Sequence, residues 1–377
     1  MKLIMYITIL SFLLLIIGCI TPFIPETDET QELVVVEGLI TDQEGINTIK
    51  LSKSMDLGYK KTVKKPLHGC TVTITDDIGN SYLLTESDTG TYMTNANTFK
   101  GSVGRKYTLH INTNNSTANH YSYQSSPIEM LPVPPIDSVY FERVSFDVNN
   151  IGLPVHEGCR IYMNTYDPQS ICKFYRWDFV ETWEFHLPYN YVKNKVCWTT
   201  SNSSVINVKN TSVLSEDRII RLPITLITAK TDRLNVKYSI LVNQYSLNEN
   251  EYTYWDKLKS ISQEVGSLYD VTPASVQGNI YCIEDPAEKV LGYFSVSAKE
   301  SKRIFIAKTF AGHIDLYKNC IWGTIPYYND IGAPTIPWWV IAADERADYR
   351  VITVLEGCAD CSVRGSSIVP DFLKDFK

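Results

Sequence analysis

The 377-residue sequence has no long apolar run beyond Ile17. Nothing later is apolar enough for a membrane-spanning helix, which needs about 20 such residues. Positive charge is also short: 35 Lys and Arg stand against 42 Asp and Glu, a formal charge of −7. Without a basic footprint, nucleic acid is not an expected partner. Catalytic signatures are missing as well. His68, His110, His120, His156, His186 and His313 never fall into HxxxH or HExxH spacing, so the common zinc-hydrolase patterns are excluded. There is no GxSxG elbow, Walker loop or GxGxxG. No catalytic residue, metal ligand or cofactor is nominated, and the expectation is a protein that is not an enzyme. Repeats of solenoid period and low-complexity tracts are absent too.

What is present begins at the N-terminus. Lys2 precedes a nearly unbroken apolar stretch, Leu3 to Ile17, that ends in Ile16-Ile17-Gly18-Cys19. This is the pattern of a secretory signal peptide closed by a bacterial lipobox: apolar residues, one small residue, then cysteine. The small residue suits the peptidase, and the Cys19 thiol takes the diacylglyceryl group. Residues 1–18 are therefore expected to be removed. Two or three acyl chains at about 0.8 kcal/mol per buried methylene would anchor Cys19 to a membrane. Residues 19–32, short, polar and Pro-containing, read as a tether.

With Cys19 assigned to lipid, Cys70, Cys159, Cys172, Cys197, Cys282, Cys320, Cys358 and Cys361 remain. An even number in an exported chain suggests disulfides, but spacing does not give the pairing. Cys358-Ala359-Asp360-Cys361 has CxxC spacing, open to a structural disulfide, a redox pair, a metal site or free thiols. No second CxxC and no following helix support the redox or metal readings.

Tyr (24) outnumbers Phe (13), and Thr, Val and Ile are frequent, which favours strands. The fold class expected is mainly β. Residues 33–126 read as a small β-sandwich. Leu33 to Ile40 is a strand, Thr48 to Ser52 another, and Cys70 to Thr75 turns through Asp76-Asp77-Ile78-Gly79-Asn80 into Ser81 to Thr85. Turn chemistry explains Asp76 and Asp77 better than calcium, because the spaced carboxylates of a calcium loop are missing. The order of these motifs resembles transthyretin-like and carboxypeptidase-regulatory-like sandwiches of the immunoglobulin type. Pro127, Pro132, Pro134 and Pro135 make residues 127–136 a stiff linker.

Residues 137–377 read as a larger antiparallel β-sandwich with one short inserted helix near 247–265. Ser246 and Glu249 suggest a capping box, Tyr252, Trp255, Leu258, Ile261 or Ser262, and Val265 a core-facing stripe, and Gly266 a C-terminal stop. Along Phe174 to His186, period two places Tyr175, Trp177, Phe179, Glu181, Trp183 and Phe185 on one face. Trp177, Glu181 and Trp183 are thus either ligand contacts in a cleft or a core whose one acid pairs with a buried Arg or Tyr; the core is the favoured reading. Trp338 and Trp339 are either partner contacts or a plug over the core.

Several segments together resemble one family. They are Val36-Glu37-Gly38-Leu39-Ile40-Thr41-Asp42, Tyr175-Arg176-Trp177 with Glu181-Thr182-Trp183, Cys197-Trp198, and Gln244-Tyr245-Ser246-Leu247 with Tyr254-Trp255. Gly278-Asn279-Ile280, Val290-Leu291-Gly292-Tyr293-Phe294, Lys302 to Ile306, and Cys358 to Cys361 running to Pro370-Asp371-Phe372 complete the set. The chain resembles the Bacteroidota lipoprotein family called domain of unknown function 4249; Leu373 departs from the Trp that commonly follows Pro-Asp-Phe. The resemblance implies an outer-membrane lipoprotein, often encoded beside a TonB-dependent receptor, and transfers no catalytic residue. The expected function is an accessory binding or assembly component of TonB-dependent nutrient uptake, at the cell surface rather than the periplasmic face. The alternatives are a glycan-processing hydrolase using Glu181, and a structural or adhesive envelope protein.

Overall fold

The computed structural model describes residues 32–54, 65–113, 121–146, 156–263, 276–307, 309, 317, 319–327 and 338–376. Cys19, the signal peptide and nearly all of the tether lie outside the described residues, as do Val265 and Gly266. The chain is mainly β, as its composition predicts. Among the described residues, no helix is long and apolar enough to cross a membrane.

The N-terminal sandwich follows from alternation. In Val34–Thr41, Val34, Val36 and Ile40 are buried while Glu37 is exposed. Its antiparallel neighbour Thr48–Lys53 buries Ile49 and Leu51 and sets Lys50 opposite Glu37. The facing sheet pairs Thr71–Asp76 with Ser81–Leu83 and with Lys106–Asn112, burying Val72, Ile74, Leu109 and Ile111. The Asp76 carboxylate is used up by the turn: Oδ1 accepts from the N–H groups of Ile78 (3.1 Å) and Asn80 (2.8 Å), and Oδ2 from Asn80 Nδ2 (2.8 Å).

Residues 33–126 do not complete this sandwich by themselves. Val290–Ser297, expected within the larger domain, lies parallel to Val34–Thr41, with Val34 opposite Val290 and Thr41 opposite Ser297. Ile280–Cys282 pairs antiparallel with Ser122–Ser125 in the other sheet. The reason is an edge: Val34–Thr41 has only one antiparallel neighbour, so its other row of backbone groups needs a partner. Gly292 makes the approach possible. Its φ is +90°, and a Cβ there would stand 1.9 Å from the Val36 carbonyl oxygen. Asn279 then acts as a surrogate strand, donating from Nδ2 to the Phe294 carbonyl and accepting the Phe294 N–H, each at 2.9 Å.

The second sandwich packs a three-stranded sheet against a five-stranded one. The first runs Ile136–Phe146, His156–Tyr166, Arg218–Thr228; the second runs Val196–Asn202, Phe174–His186, Lys237–Leu247, Lys299–Ala307, with Asn207–Asn210 also on Phe174–His186. The core between them takes Cys159, Ile161 and Met163 from one side and Tyr175, Trp177, Phe179 and Phe185 from the other. Fully burying each such side chain is worth about 1.5–3 kcal/mol. A small third sheet, Gly323–Pro326, Tyr349–Thr353 and Trp339–Asp344, adds Ile341 to the same core.

Two disulfides bind this C-terminal part. Cys361 pairs with Cys197 and Cys358 with Cys320, so both CxxC cysteines are bridged, each to a distant partner. Cys70, Cys159, Cys172 and Cys282 are free thiols, against the expectation of wider pairing. Asp360, between the two bridged cysteines, accepts from the Ser362 hydroxyl (2.6 Å), Asn194 Nδ2 (2.9 Å) and the Ser362 N–H (2.9 Å). These bonds hold its pKa down at about 2.

The two sandwiches are clamped together. Ile128–Glu129 still pairs with the first one. A few residues on, Ser246 Oγ donates to the Leu131 carbonyl (2.6 Å) and Gln244 Nε2 to that of Pro134 (2.8 Å). The expected stiff linker is therefore held at its start by the first sandwich and, from Leu131 on, by the second. A second crossing occurs at Ala298, where Val290–Ser297 of one sandwich leads directly into Lys299–Ala307 of the other.

Candidate functional site

The face of Phe174–His186 singled out by its aromatic spacing points into the core. Trp177 Nε1 donates to Gln244 Oε1 at 2.8 Å, and Trp183 Nε1 to Asp232 Oδ1 at 3.0 Å. Glu181 is 4% exposed; it meets Arg233 at 3.0 Å and accepts from the Tyr238 hydroxyl at 2.9 Å. Burial raises its pKa more than Arg233 and Tyr238 lower it. This is the arrangement of a core acid with its Arg and Tyr partners. Trp339 packs against the same core from the third sheet, and Trp338 beside it is half-buried.

The opposite face of that strand is where space remains. Arg176 and Asp178 point away from the core, and with Ser203 they form the floor of a cleft of about 900 Å³ between the sandwiches. One wall is the outer face of the first sandwich: Val35, Glu37, Leu39, Leu291 and Tyr293. The other is the helix Glu249–Gln263, presenting Tyr254, Trp255, Leu258 and Ile261. A connected recess of about 450 Å³ shares Arg176, Asp178, Ser203 and Trp255 and is edged by Lys299. A cleft of this volume, largely apolar with a few converging polar groups, suits a small-molecule ligand.

The helix departs from expectation in two ways that bear on the cleft. Its N-cap is Asn248, whose Oδ1 accepts the Glu251 N–H at 2.8 Å. Ser246 belongs to the preceding strand, because its hydroxyl is engaged by Leu131 and by the Ala298 N–H. Its apolar stripe is not sealed into a core: Trp255, Leu258 and Ile261 are each only half-buried and line the cleft. Glu251 is instead fully buried. It accepts from Trp255 Nε1 at 3.3 Å, while its Oε2 has no hydrogen-bond partner among the described residues. Burial pushes its pKa up to about 7, against the opposing pull of Ser295, Arg176 and Trp255. At neutral pH this acid is substantially protonated.

Arg176 is held by rings. Its guanidinium carbon lies 4.7 Å from the centroid of Tyr245 and 4.7 Å from that of Trp255. Tyr245 is fixed by donating its hydroxyl to Asp178 Oδ1 (3.3 Å), which also accepts from Asn243 Nδ2 (2.7 Å). The Arg176 Nε is buried and without a hydrogen-bond partner among the described residues. Reading the outer face of this strand in sequence misses the site, because Arg176 and Asp178 look like ordinary solvent-facing charges. The adjacency of Tyr245 and Trp255 is a tertiary fact. Among the described residues, no group of three or more His, Cys, Asp or Glu is placed to hold a metal ion.

Comparison with protein families gives a match over residues 20–303 to Domain of unknown function (DUF4249). The chain belongs to this family. No curated protein matches it. The family span includes both sandwiches' cleft-lining strands and the helix, and it ends before the disulfide-bonded C-terminal part. Several residues of the family-like segments have structural duties: Gly292 and Asn279 join the late strand to the first sandwich, and Gln244 and Ser246 clamp the linker. Arg176, also in those segments, lies on the cleft floor, and Tyr245 and Trp255 hold it there.

Proposed function

We propose that the chain is a lipid-anchored accessory component of a TonB-dependent nutrient-uptake system at the outer membrane, acting by binding. The observation that supports this best is the cleft between two sandwiches that are clamped to each other. Its walls are preformed, its apolar helix face is not covered by the core, and its polar groups converge on one floor. The N-terminal pattern ending at Cys19 supports a lipid tether for such a body, and the proposal puts it at the cell surface rather than the periplasmic face. Glu181, the residue on which a hydrolase reading would rest, is engaged with Arg233 and Tyr238 in the core and does not line the cleft.

The test is isolation of the tagged full-length protein from native membranes. The expected result is palmitate-labelled protein that co-isolates with a TonB-dependent receptor, and a Cys19→Ser variant that leaves the membrane fraction. A protein that carries no lipid, or that is lipidated but brings down no receptor while its deletion leaves nutrient uptake intact, overturns the proposal.

A further inference from the structure

The cleft floor has an asymmetry that narrows the ligand. The wall charges Glu37 and Lys50 face each other in register on neighbouring strands and largely offset one another. The floor has Arg176 and Lys299 against Asp178, and one oxygen of Asp178 is occupied by Asn243 and Tyr245. The guanidinium carbon of Arg176 lies over the Tyr245 and Trp255 rings, so among the described residues the edge of its fork, with its N–H donors, is left to face a partner. Its Nε is buried and has no hydrogen-bond partner among the described residues. Beside it rises the half-buried stripe Trp255, Leu258 and Ile261.

We infer that the cleft binds an organic acid with an apolar or aromatic body, its carboxylate taken by the edge of Arg176 and its body laid along Trp255, Leu258 and Ile261. This rests on the binding reading above and names the ligand class for that site. A planar fork held by aromatic rings is suited to a carboxylate, which it meets through paired, charge-assisted hydrogen bonds. Lys299, 5.8 Å from the Tyr245 centroid, adds a second positive charge at the recess edge. Glu251 offsets only part of this positive charge at neutral pH, because burial brings its pKa up to about 7. Two sources present this chemistry: the C-terminus of a short hydrophobic peptide and a small aryl acid.

The experiment is a calorimetric titration of the purified full chain with two acid–amide pairs. One pair is leucyl-phenylalanine and its C-terminal amide; the other is indole-3-acetate and indole-3-acetamide. At least one acid is expected to bind, about tenfold or more tighter than its amide, and Arg176→Gln is expected to erase that preference. Which acid binds separates peptide from aryl source. If Arg176→Gln does not fold, Arg176→Lys serves, since it keeps the charge and loses the fork; the preference should then shrink severalfold. No binding by either acid, equal binding of acid and amide, or a preference that survives both variants overturns the assignment. A chain that co-isolates with a receptor yet fails here loses only its ligand class.

Discussion

Glu181 and Glu251 are both buried acids whose pKa burial raises, but they differ in the partners that oppose it. Glu181 has Arg233 at 3.0 Å and the Tyr238 hydroxyl at 2.9 Å, so its charge is matched. Glu251 has one long bond from Trp255 and an unpartnered oxygen, and burial lifts its pKa from 4.5 to about 7. Because the folded value is the higher one, folding favours the protonated form. The associated stability is fully present below pH 4.5 and is lost as pH rises toward 7. The slope is about 1.4 kcal/mol per pH unit, about 3 kcal/mol in all. Glu251→Gln keeps the shape and cannot ionise. Thermal unfolding is expected to show the variant more stable than the natural protein at about pH 8, by about 3 kcal/mol, and nearly equal to it at about pH 4. Equal stability at both pH values would mean that Glu251 is not held neutral by burial.

At the scale of elements, the late strand Val290–Ser297 decides how the sandwiches meet. Its parallel pairing with Val34–Thr41 depends on Gly292, where a Cβ would stand 1.9 Å from the Val36 carbonyl and where φ is +90°. Gly292→Ala is expected to cost about 3 kcal/mol or more, through the clash and the disfavoured backbone together. Denaturant unfolding would measure this, and an unchanged midpoint would contradict the pairing. Much of this level was legible beforehand. The period-two alternation of Phe174–His186 gave both its strand and its buried face. The helix was visible from its stripe, but its start was misplaced by two residues' worth of capping chemistry, since Ser246 and Asn248 are both plausible caps. That Val290–Ser297 leaves its sequence neighbours to join the first sandwich was not legible, because an apolar strand fits either sheet by its own pattern. The cleft floor was hidden for a similar reason: nothing local shows that Tyr245 and Trp255 close over Arg176.

At the scale of the molecule, the chain is two sandwiches braced by a clamped linker, with the C-terminal part, which carries a third small sheet, fastened to the second sandwich by Cys197–Cys361 and closed within itself by Cys320–Cys358. Peptide mapping without reduction is expected to find Cys197 with Cys361 and Cys320 with Cys358, and no Cys358–Cys361 bridge. Breaking the first with Cys361→Ala should cost about 2–5 kcal/mol, since it closes the longer loop, 164 residues against 38. An observed Cys358–Cys361 bridge would refute this arrangement. The central claim is that the protein works through the cleft between its sandwiches. The most direct measurement places a photo-crosslinking residue at Leu258, in the cleft, and separately at Ile220, exposed on the far sheet, in cells under nutrient uptake. The account predicts a ligand or receptor adduct at Leu258 and none at Ile220; adducts at Ile220 alone, or none at Leu258, would contradict it.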